Sequence, residues 1–172
     1  MRDLPMVTKH GVLPRLYMFS QEAGLFGHQV LCLDIDVVIT GSLKNIMSYK
    51  GLFCARSKFK QGLEYKLDGD IMSFRAGKET ERIFWEPFIK NVDAAVKLTQ
   101  GRERYWYRHV ADDIADRWDR LFPGQIVSWK RSVRSGKLRP VMRIVSCHGS
   151  PRPHEIVDRS GLRYRWIKPF WK

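Results

Sequence analysis

The chain is poor in cysteine and lacks any long apolar run. Its three cysteines, Cys32, Cys54 and Cys147, are widely spaced and lie in or next to apolar segments. An odd number without a pairing pattern predicts buried, reduced thiols, and the lack of a Cys-x-x-Cys pair argues against a zinc site. No stretch approaches the ~20 apolar residues that a membrane-spanning helix needs, and residues 1–5 contain no apolar signal core. These features predict a cytoplasmic protein.

Acidic residues are also scarce relative to basic ones. The 172 residues include 31 lysines and arginines but 18 aspartates and glutamates, which gives a formal net charge of +13. Such an excess predicts an anionic partner: a nucleotide, a nucleic acid or an acidic membrane surface, so peripheral contact with the inner face of the membrane is a further expectation. The hydrophobic fraction of 44% is ordinary, and we expect a single domain over residues 1–172.

The pattern of apolar residues predicts strands that alternate with helices, which is typical of an α/β sheet. Strands are expected at residues 52–56, 71–74, 126–129 and 143–147. Helical stretches are expected at residues 13–26, 78–98 and 102–121. The core is expected to cover residues 15–155, and the polar, proline-containing segment 156–172 is expected to be an irregular tail.

The most informative segment is an apolar run over residues 31–40 that is interrupted by two carboxylates, Asp34 and Asp36. The branched residues around them predict one buried strand. Because side chains two residues apart on a strand share a face, both carboxylates should project together near its carboxyl end. Two buried like charges are costly, and a divalent cation such as Mg²⁺ or Mn²⁺ would offset them. The alternative is a strand end whose carboxylates cap a neighbouring helix.

A second polar segment, residues 147–154, follows another predicted strand. Ligand sites in open α/β sheets gather where strands end, so this segment is expected near the two aspartates. His148 would offer a ring nitrogen as a third metal ligand, Gly149 would let the backbone approach a ligand, and Arg152 would grip a phosphate. The alternative is an ordinary loop in which His148 hydrogen-bonds the backbone.

Five short motifs follow one another in an order that is typical of one enzyme family. They are residues 33–43, 71–74, 101–105, 123–130 and 148–153. Respectively, they are similar to an Asp-x-Asp region, a sugar-side strand, a Gly-Asp-Gln/Glu element, a segment of bacterial relatives and a closing His-Gly-x-Lys/Arg-Pro loop. Together they resemble the GT-A-fold glycosyltransferases, close to the glycogenin-like family 8 group and its bacterial relatives. The resemblance covers residues 15–155 and implies a GT-A-like (Rossmann-like) mixed sheet flanked by helices.

The resemblance implies a metal-dependent transfer of a sugar from a nucleotide diphosphate sugar to an acceptor, which would be a glycan, a lipid or a protein. The implied ligands of Mn²⁺ (or Mg²⁺) are Asp34, Asp36 and His148. The implied contacts to the donor diphosphate or sugar are Asp68, Lys130, Gly149 and Arg152. Because acceptor activation or stabilisation of an intermediate needs a carboxylate near the sugar, Asp70 and Glu103 are the catalytic candidates.

Two features depart from the family pattern. His154 follows Arg152-Pro153, where glycogenin-like proteins have a longer loop with a tryptophan. Only 33 residues precede Asp34, in the place where GT-A domains carry the strand–helix units that hold the nucleotide base. We therefore expect an N-terminal part that is missing or reduced, with metal binding retained and nucleotide-sugar binding weakened.

Two other classes of protein fit part of the pattern. Haloacid-dehalogenase-type phosphatases have a similar first motif, with Asp34 as nucleophile and Asp36 as general acid, and residues 112–113 would then be the late metal-binding pair. That alternative leaves the loop at His148 unexplained. A non-catalytic nucleic-acid-binding domain would explain the net charge, but the basic residues are scattered and form no known module, so no specific nucleic acid is expected.

Overall fold

The structure, a computed structural model, describes residues 13–59, 66–133, 135–159 and 161–171. Within these ranges, seven strands form two mixed sheets flanked by helices, which confirms the predicted α/β class. The strands are β1 Gln29–Leu33, β2 Val37–Ile39, β3 Phe53–Ser57, β4 Leu67–Arg75, β5 Asp116–Arg117, β6 Ile126–Ser128 and β7 Ile144–Ser146. Residues 1–5, which lack a signal core in the sequence, lie outside the described residues.

Each sheet combines antiparallel and parallel pairs. The first sheet has the order β1-β4-β3-β5, with β4 antiparallel to both neighbours and β5 parallel to β3. The second sheet has the order β2-β7-β6, with β7 antiparallel to β2 and parallel to β6. β4 is an inner strand of the first sheet, and its residues are buried except Asp68, which is half-buried, and Arg75, which is exposed.

Short helices connect and cover the two sheets. The α-helices are α1 Lys44–Met47, α2 Lys78–Thr80, α3 Glu86–Lys90, α4 Val92–Thr99, α5 Glu103–Ala111, α6 Trp118–Leu121 and α7 Pro153–Val157. Two π-helical turns, Glu81–Trp85 and Trp129–Val133, and three 3-10 helices, Leu13–Phe19, Gln21–Ala23 and Leu162–Ile167, complete the described helical segments. Over the part of the chain that the structure describes, no helix has the length and apolarity to cross a membrane.

The largest core cluster packs the first sheet against the helical segments between Lys78 and Ala111. Its fully buried rings are Phe19, Phe53, Phe74, Phe84 and Tyr107. Phe19 stacks on Phe84 with ring centroids 4.3 Å apart. The indole nitrogen of Trp106 donates to the carbonyl of Phe84 at 2.8 Å, which ties α5 to the π-helical turn Glu81–Trp85. Each buried ring stabilises the fold by ~2 kcal/mol, and together they hold α5 firmly against the sheet.

The prediction of one buried strand over residues 31–40 is wrong. The chain turns between β1 and β2, which belong to different sheets, and the Val37 N–H donates to the Asp34 carbonyl across this turn at 3.2 Å. Ile35, at the tip of the turn, is 86% exposed. Asp34 and Asp36 are therefore neighbours across a turn, and they do not share one face of a strand.

Two helical predictions also need correction. The predicted helix over residues 13–26 is two 3-10 helices, Leu13–Phe19 and Gln21–Ala23, and Gly24 ends the second one in the left-handed conformation. The predicted helix over residues 102–121 ends at Ala111, and the chain then forms β5 and α6. The cause lies in Trp118, which is buried and whose indole nitrogen donates to the carbonyl of Ile71 at 3.1 Å, so the chain is held against β4.

The predicted irregular tail, residues 156–172, is largely ordered in its described part. α7 reaches Val157, and the 3-10 helix Leu162–Ile167 follows it. Ile156, Trp166 and Ile167 are buried in the core cluster of the second sheet. The polar residues and prolines of this segment suggested a loop, but its few apolar side chains find a packing surface that local sequence does not reveal.

Candidate active site

The turn between β1 and β2 is held from both sheets. The Asp34 N–H donates to the carbonyl of Asp70 on β4 at 2.8 Å, and the carbonyl of Asp36 accepts from the Cys147 N–H, just after β7, at 2.9 Å. Both backbone partners are far away in sequence, so the position of the turn depends on the tertiary fold. The two aspartates therefore sit where the first sheet meets the second.

An open cleft of about 440 Å³ lies next to this turn. Its polar lining comes from Arg15, Asp34, Asp36, Glu103 and Arg152, and its apolar lining comes from Cys32, Leu33 and Ile35. Four separate segments thus contribute: the first 3-10 helix, the turn, the first residue of α5 and the loop before α7. A cleft with two carboxylates in one turn and two guanidinium groups beside them has the charges to bind a cation and an anion together.

Arg15 pairs with Asp34 inside the cleft. Its Nη1 lies 2.5 Å from Asp34 Oδ1 and 3.6 Å from Glu103 Oε1. Burial of Asp34 nevertheless outweighs the attraction of Arg15, and the nearby carboxylates of Asp70 and Asp36 add to it, so the pKa of Asp34 is raised to about 6. Burial also raises the pKa of Glu103. Cavity carboxylates with raised pKa values are common at functional sites.

Asp36 has one oxygen that nothing in the described part of the chain satisfies. Its Oδ1 is buried and accepts no hydrogen bond from the described residues. A buried carboxylate oxygen without a partner is destabilising, and a bound cation would remove that penalty. The pair of oxygen donors from Asp34 and Asp36 suits a hard divalent ion such as Mn²⁺ or Mg²⁺. The residues of this turn therefore fit the expected metal.

His148, the predicted third ligand, lies just after β7, next to the residue that bonds Asp36. Its Nε2 is 2.9 Å from the hydroxyl oxygen of Ser128, and its ring stacks on Phe59 with centroids 5.6 Å apart. Burial, assisted by the charges of Arg56 and Lys130, lowers the pKa of His148, which favours the neutral form that binds metals. Over the described ranges, no three His, Cys, Asp or Glu side chains form a ready-made metal site.

Asp70, a predicted catalytic residue, is engaged in a buried ion pair. Its two carboxylate oxygens accept from Arg56 Nε at 2.9 Å and from Arg56 Nη2 at 2.8 Å, and Ser146 donates a third hydrogen bond at 2.8 Å. Asp68 lies 3.3 Å from Arg56 as well. Through these contacts Asp70 and Asp68 hold Arg56, and Asp70 also holds Ser146, at the junction of the two sheets. Glu103 is the predicted catalytic carboxylate that lines the cleft.

The predicted phosphate-binding residues surround the loop after His148. Gly149 has a φ of +71°, and a Cβ added there would lie 3.3 Å from the ammonium nitrogen of Lys130. Positive φ and this close approach both favour glycine. Arg152 is exposed and reaches the cleft, and its N–H donates to Glu155 at 2.7 Å, where α7 begins. The loop therefore brings Arg152 to the cleft, and its Gly149 lies close to Lys130 of the π-helical turn Trp129–Val133.

Of the nine predicted site residues, four line the cleft, namely Asp34, Asp36, Glu103 and Arg152, and a fifth, Asp70, contacts the turn through its backbone carbonyl. Sequence reasoning missed Arg15, Arg56, Ser128 and Ser146. A lone arginine in the apolar segment Leu13–Phe19 is the one signal that points to Arg15. Asp112 and Asp113 line a different cleft together with Ser57 and Asp119, so the structure does not bring them to Asp34 as the phosphatase alternative requires.

Comparison of the chain with protein-family models and with curated proteins gives no match. The interpretation of the cleft therefore depends on its geometry, charge and chemistry.

Proposed function

We propose that this protein is a metal-dependent glycosyltransferase with a GT-A-like arrangement, which moves a sugar from a nucleotide diphosphate sugar to an acceptor. One observation carries the proposal: a turn with two carboxylates, Asp34 and Asp36, lines an open cleft beside two arginines, while a buried oxygen of Asp36 lacks a partner among the described residues. This combination suits a divalent cation that in turn binds a diphosphate.

Asp34 and Asp36 would hold the Mn²⁺ or Mg²⁺ ion, and His148 would approach it as the third ligand. When bound, the metal supplies positive charge that stabilises the nucleotide diphosphate as it leaves the sugar. The chain's own cations, Arg15, Lys130 and Arg152, add to that stabilisation, because fixed positive groups around a leaving anion lower the barrier to its departure. Arg152 offers a planar fork for two phosphate oxygens, and Lys130 offers a point charge.

Among the predicted catalytic carboxylates, Glu103 suits a role in proton transfer better than Asp70. It is half-buried at the wall of the cleft, and burial raises its pKa. A carboxylate with a raised pKa accepts a proton from an acceptor hydroxyl more readily than an ordinary one. Both oxygens of Asp70 are already hydrogen-bonded to Arg56 and Ser146. Asp70 would therefore maintain the shape of the site.

The test is a calorimetric titration of Mn²⁺, UDP and GDP into the wild-type protein and Asp36→Asn. Asp113→Asn is the matched control, because Asp113 is an exposed carboxylate outside the cleft. We expect Asp36→Asn to weaken Mn²⁺ binding at least tenfold, or about 1.4 kcal/mol, while the control changes it less than twofold. One of the two nucleotides should bind with Mn²⁺ and bind far more weakly without it. Equal Mn²⁺ binding by wild type and Asp36→Asn would overturn the proposal.

A further inference from the structure

Three arginines surround one tyrosine ring on α5, the helix whose first residue, Glu103, lines the cleft. The guanidinium carbons of Arg108, Arg104 and Arg102 lie 5.2, 5.9 and 6.0 Å from the centroid of the Tyr105 ring. Each distance falls within the ~6 Å range of a cation–π interaction. Three cations around one ring also repel one another, so their grouping raises the question of what balances the charge. We call these four residues the arginine cluster.

Protein carboxylates balance only part of this charge. Asp68 Oδ1 lies 3.8 Å from Arg104, but Asp68 also pairs with Arg56 at 3.3 Å. Within the described ranges, Arg102 and Arg108 form no ion pair with a carboxylate. The arginine cluster therefore keeps a net positive charge on a half-exposed surface.

Hydrogen-bonding capacity in the cluster is also incompletely used. Arg108 Nε donates to the carbonyl of Leu67 at 2.7 Å, but its Nη2 is buried and has no hydrogen-bond partner among the described residues. Burial, with the charge of Arg104 adding to it, lowers the pKa of Arg108. Interaction with Arg102, and then the charges of Arg104 and Arg108, lower the pKa of the Tyr105 phenol. The pKa of Tyr105 thus reflects the surrounding positive charge, and the charge of Arg104 adds to the effect of burial on Arg108; a bound anion would relieve both charge contributions.

The position of the cluster suggests which molecule brings the anion. Glu103, at the wall of the cleft, lies between Arg102 and Arg104 in the chain, and Asp68 acts electrostatically on both Glu103 and Arg108. The cluster does not line the cleft itself, but the core holds its helix beside the sheet and Glu103 at the start of that helix lines the cleft, so an acceptor larger than one sugar ring that meets Glu103 would extend to the cluster. The aromatic face of Tyr105 would in addition pack against a sugar ring.

We propose that Tyr105, Arg102, Arg104 and Arg108 form an acceptor subsite that binds an anionic group, a phosphate or a carboxylate, carried by a sugar of the acceptor. This inference rests on the proposed function, and it narrows the acceptor to an anionic glycan. Arginine is suited to both groups because its planar fork donates two parallel hydrogen bonds to either one.

The experiment titrates glucose 6-phosphate, glucuronate and glucose into the metal-free protein at low ionic strength, with binding followed by NMR of the arginine, lysine and tyrosine side chains. The full chain is used, and neither metal nor nucleotide is added. We expect glucose 6-phosphate, glucuronate or both to bind at least tenfold more tightly than glucose and to shift the Tyr105 signals. The preferred anion then distinguishes a phosphorylated acceptor from a uronate-containing one.

Two arginine variants with the same change in charge make the test specific. Arg102→Gln removes an exposed member of the cluster, whereas Arg82→Gln removes an exposed arginine that is not in it. We expect Arg102→Gln to weaken anion binding three- to tenfold and Arg82→Gln to change it less than twofold. Equal weakening by the two variants, or signal shifts confined to Lys130 and Arg152, would overturn the inference.

The outcomes separate this inference from the proposed function. If neither sugar anion binds the arginine cluster while Mn²⁺-dependent nucleotide binding is observed, only the acceptor subsite is overturned. An intact anion site in a protein that binds neither Mn²⁺ nor nucleotide would overturn the acceptor role. Preferential binding of single-stranded RNA over all three sugars, through the same residues, would likewise overturn it in favour of a nucleic-acid surface.

Discussion

Replacing Asp70 with asparagine removes one charge from a buried ion pair at the junction of the two sheets. Asp70 is 8% exposed and Arg56 is 2% exposed, so water screens their interaction poorly. Breaking a buried pair by removing one partner costs roughly 3–5 kcal/mol. Asp68 stays 3.3 Å from Arg56 and keeps part of the compensation. We therefore expect Asp70→Asn to lower the free energy of unfolding by about 3 kcal/mol.

Urea unfolding of the metal-free protein at pH 7.5, followed by circular dichroism, measures this loss. A loss of this size should lower the midpoint by roughly 1–2 M urea, because the slope for a protein of this size is about 2 kcal/mol per molar. Asp113→Asn, the same chemical change at an exposed position, should stay within about 0.5 kcal/mol of wild type. A loss below about 1 kcal/mol in Asp70→Asn would refute the structural role of Asp70 and return it to the list of catalytic candidates.

If Asp70→Asn does not fold, a milder variant, Ser146→Ala, tests the same contacts of Asp70. Ser146→Ala removes one of the three hydrogen bonds to Asp70 and leaves the ion pair intact. A hydrogen bond from a neutral donor to a buried carboxylate contributes about 1–2 kcal/mol, and Ser146→Ala should lower the free energy of unfolding by that amount. No loss in this variant would show that Ser146 does not hold the carboxylate.

Three further changes test other parts of the structure by urea unfolding. The folded-state pKa of Asp34, about 6, lies above the unfolded value of about 3.9, so its contribution to stability falls as the pH rises from about 4 to 6. Since 34% of the Asp34 side chain is exposed, the free energy of unfolding should fall by roughly 1–2 kcal/mol over this pH range. Asp34→Asn should abolish this pH dependence. If Asp34→Asn is less stable than wild type at pH 7.5, the expectation is contradicted. Gly149→Ala should cost about 1–2 kcal/mol, because φ is +71° and the new Cβ approaches Lys130, whereas Gly77→Ala, in extended backbone with open space, should be nearly neutral. Trp166→Ala should cost about 3–5 kcal/mol because this side chain is buried in the tail, and a loss under about 1 kcal/mol would restore the irregular tail.

The sequence predicted four of the seven described strands, because a short run of apolar residues is enough to indicate a strand. The apolar runs at residues 52–56, 71–74, 126–129 and 143–147 overlap β3, β4, β6 and β7. The run at residues 31–40 misled the same reasoning, because its branched residues conceal a turn. That turn forms because the backbone of Asp34 and of Asp36 bonds Asp70 and Cys147, which lie in different sheets and far along the chain. No short segment of the sequence around residues 31–40 contains Asp70 or Cys147, so local patterns do not predict the turn.

The residues of the candidate site also fall into two groups, those that local sequence indicates and those that only the tertiary fold reveals. Asp34, Asp36 and His148 carry signals in their immediate neighbours, and those signals made them candidates. Arg15 and Arg56 have none, because each acts on a carboxylate 14 to 19 residues away that folding brings alongside. The same packing gives Asp70 its ion pair, so a residue that looked free for catalysis in the sequence is held by its neighbours in the structure.

The pairing of Arg15 with Asp34 should couple the binding of a metal ion in the cleft to the binding of a nucleotide diphosphate. A cation at Asp34 and Asp36 would be repelled by Arg15, which lies 2.5 Å from Asp34. A diphosphate would accept that guanidinium and remove the repulsion, so metal and nucleotide should each raise the affinity of the other by the same factor. We expect UDP or GDP to tighten Mn²⁺ binding by about tenfold or more, since coupling of this kind is typically 1–3 kcal/mol. Arg15→Gln should strengthen binding of Mn²⁺ alone and reduce the coupling. Titrations that find the same Mn²⁺ affinity with and without nucleotide would show that Arg15 does not exchange partners in this way.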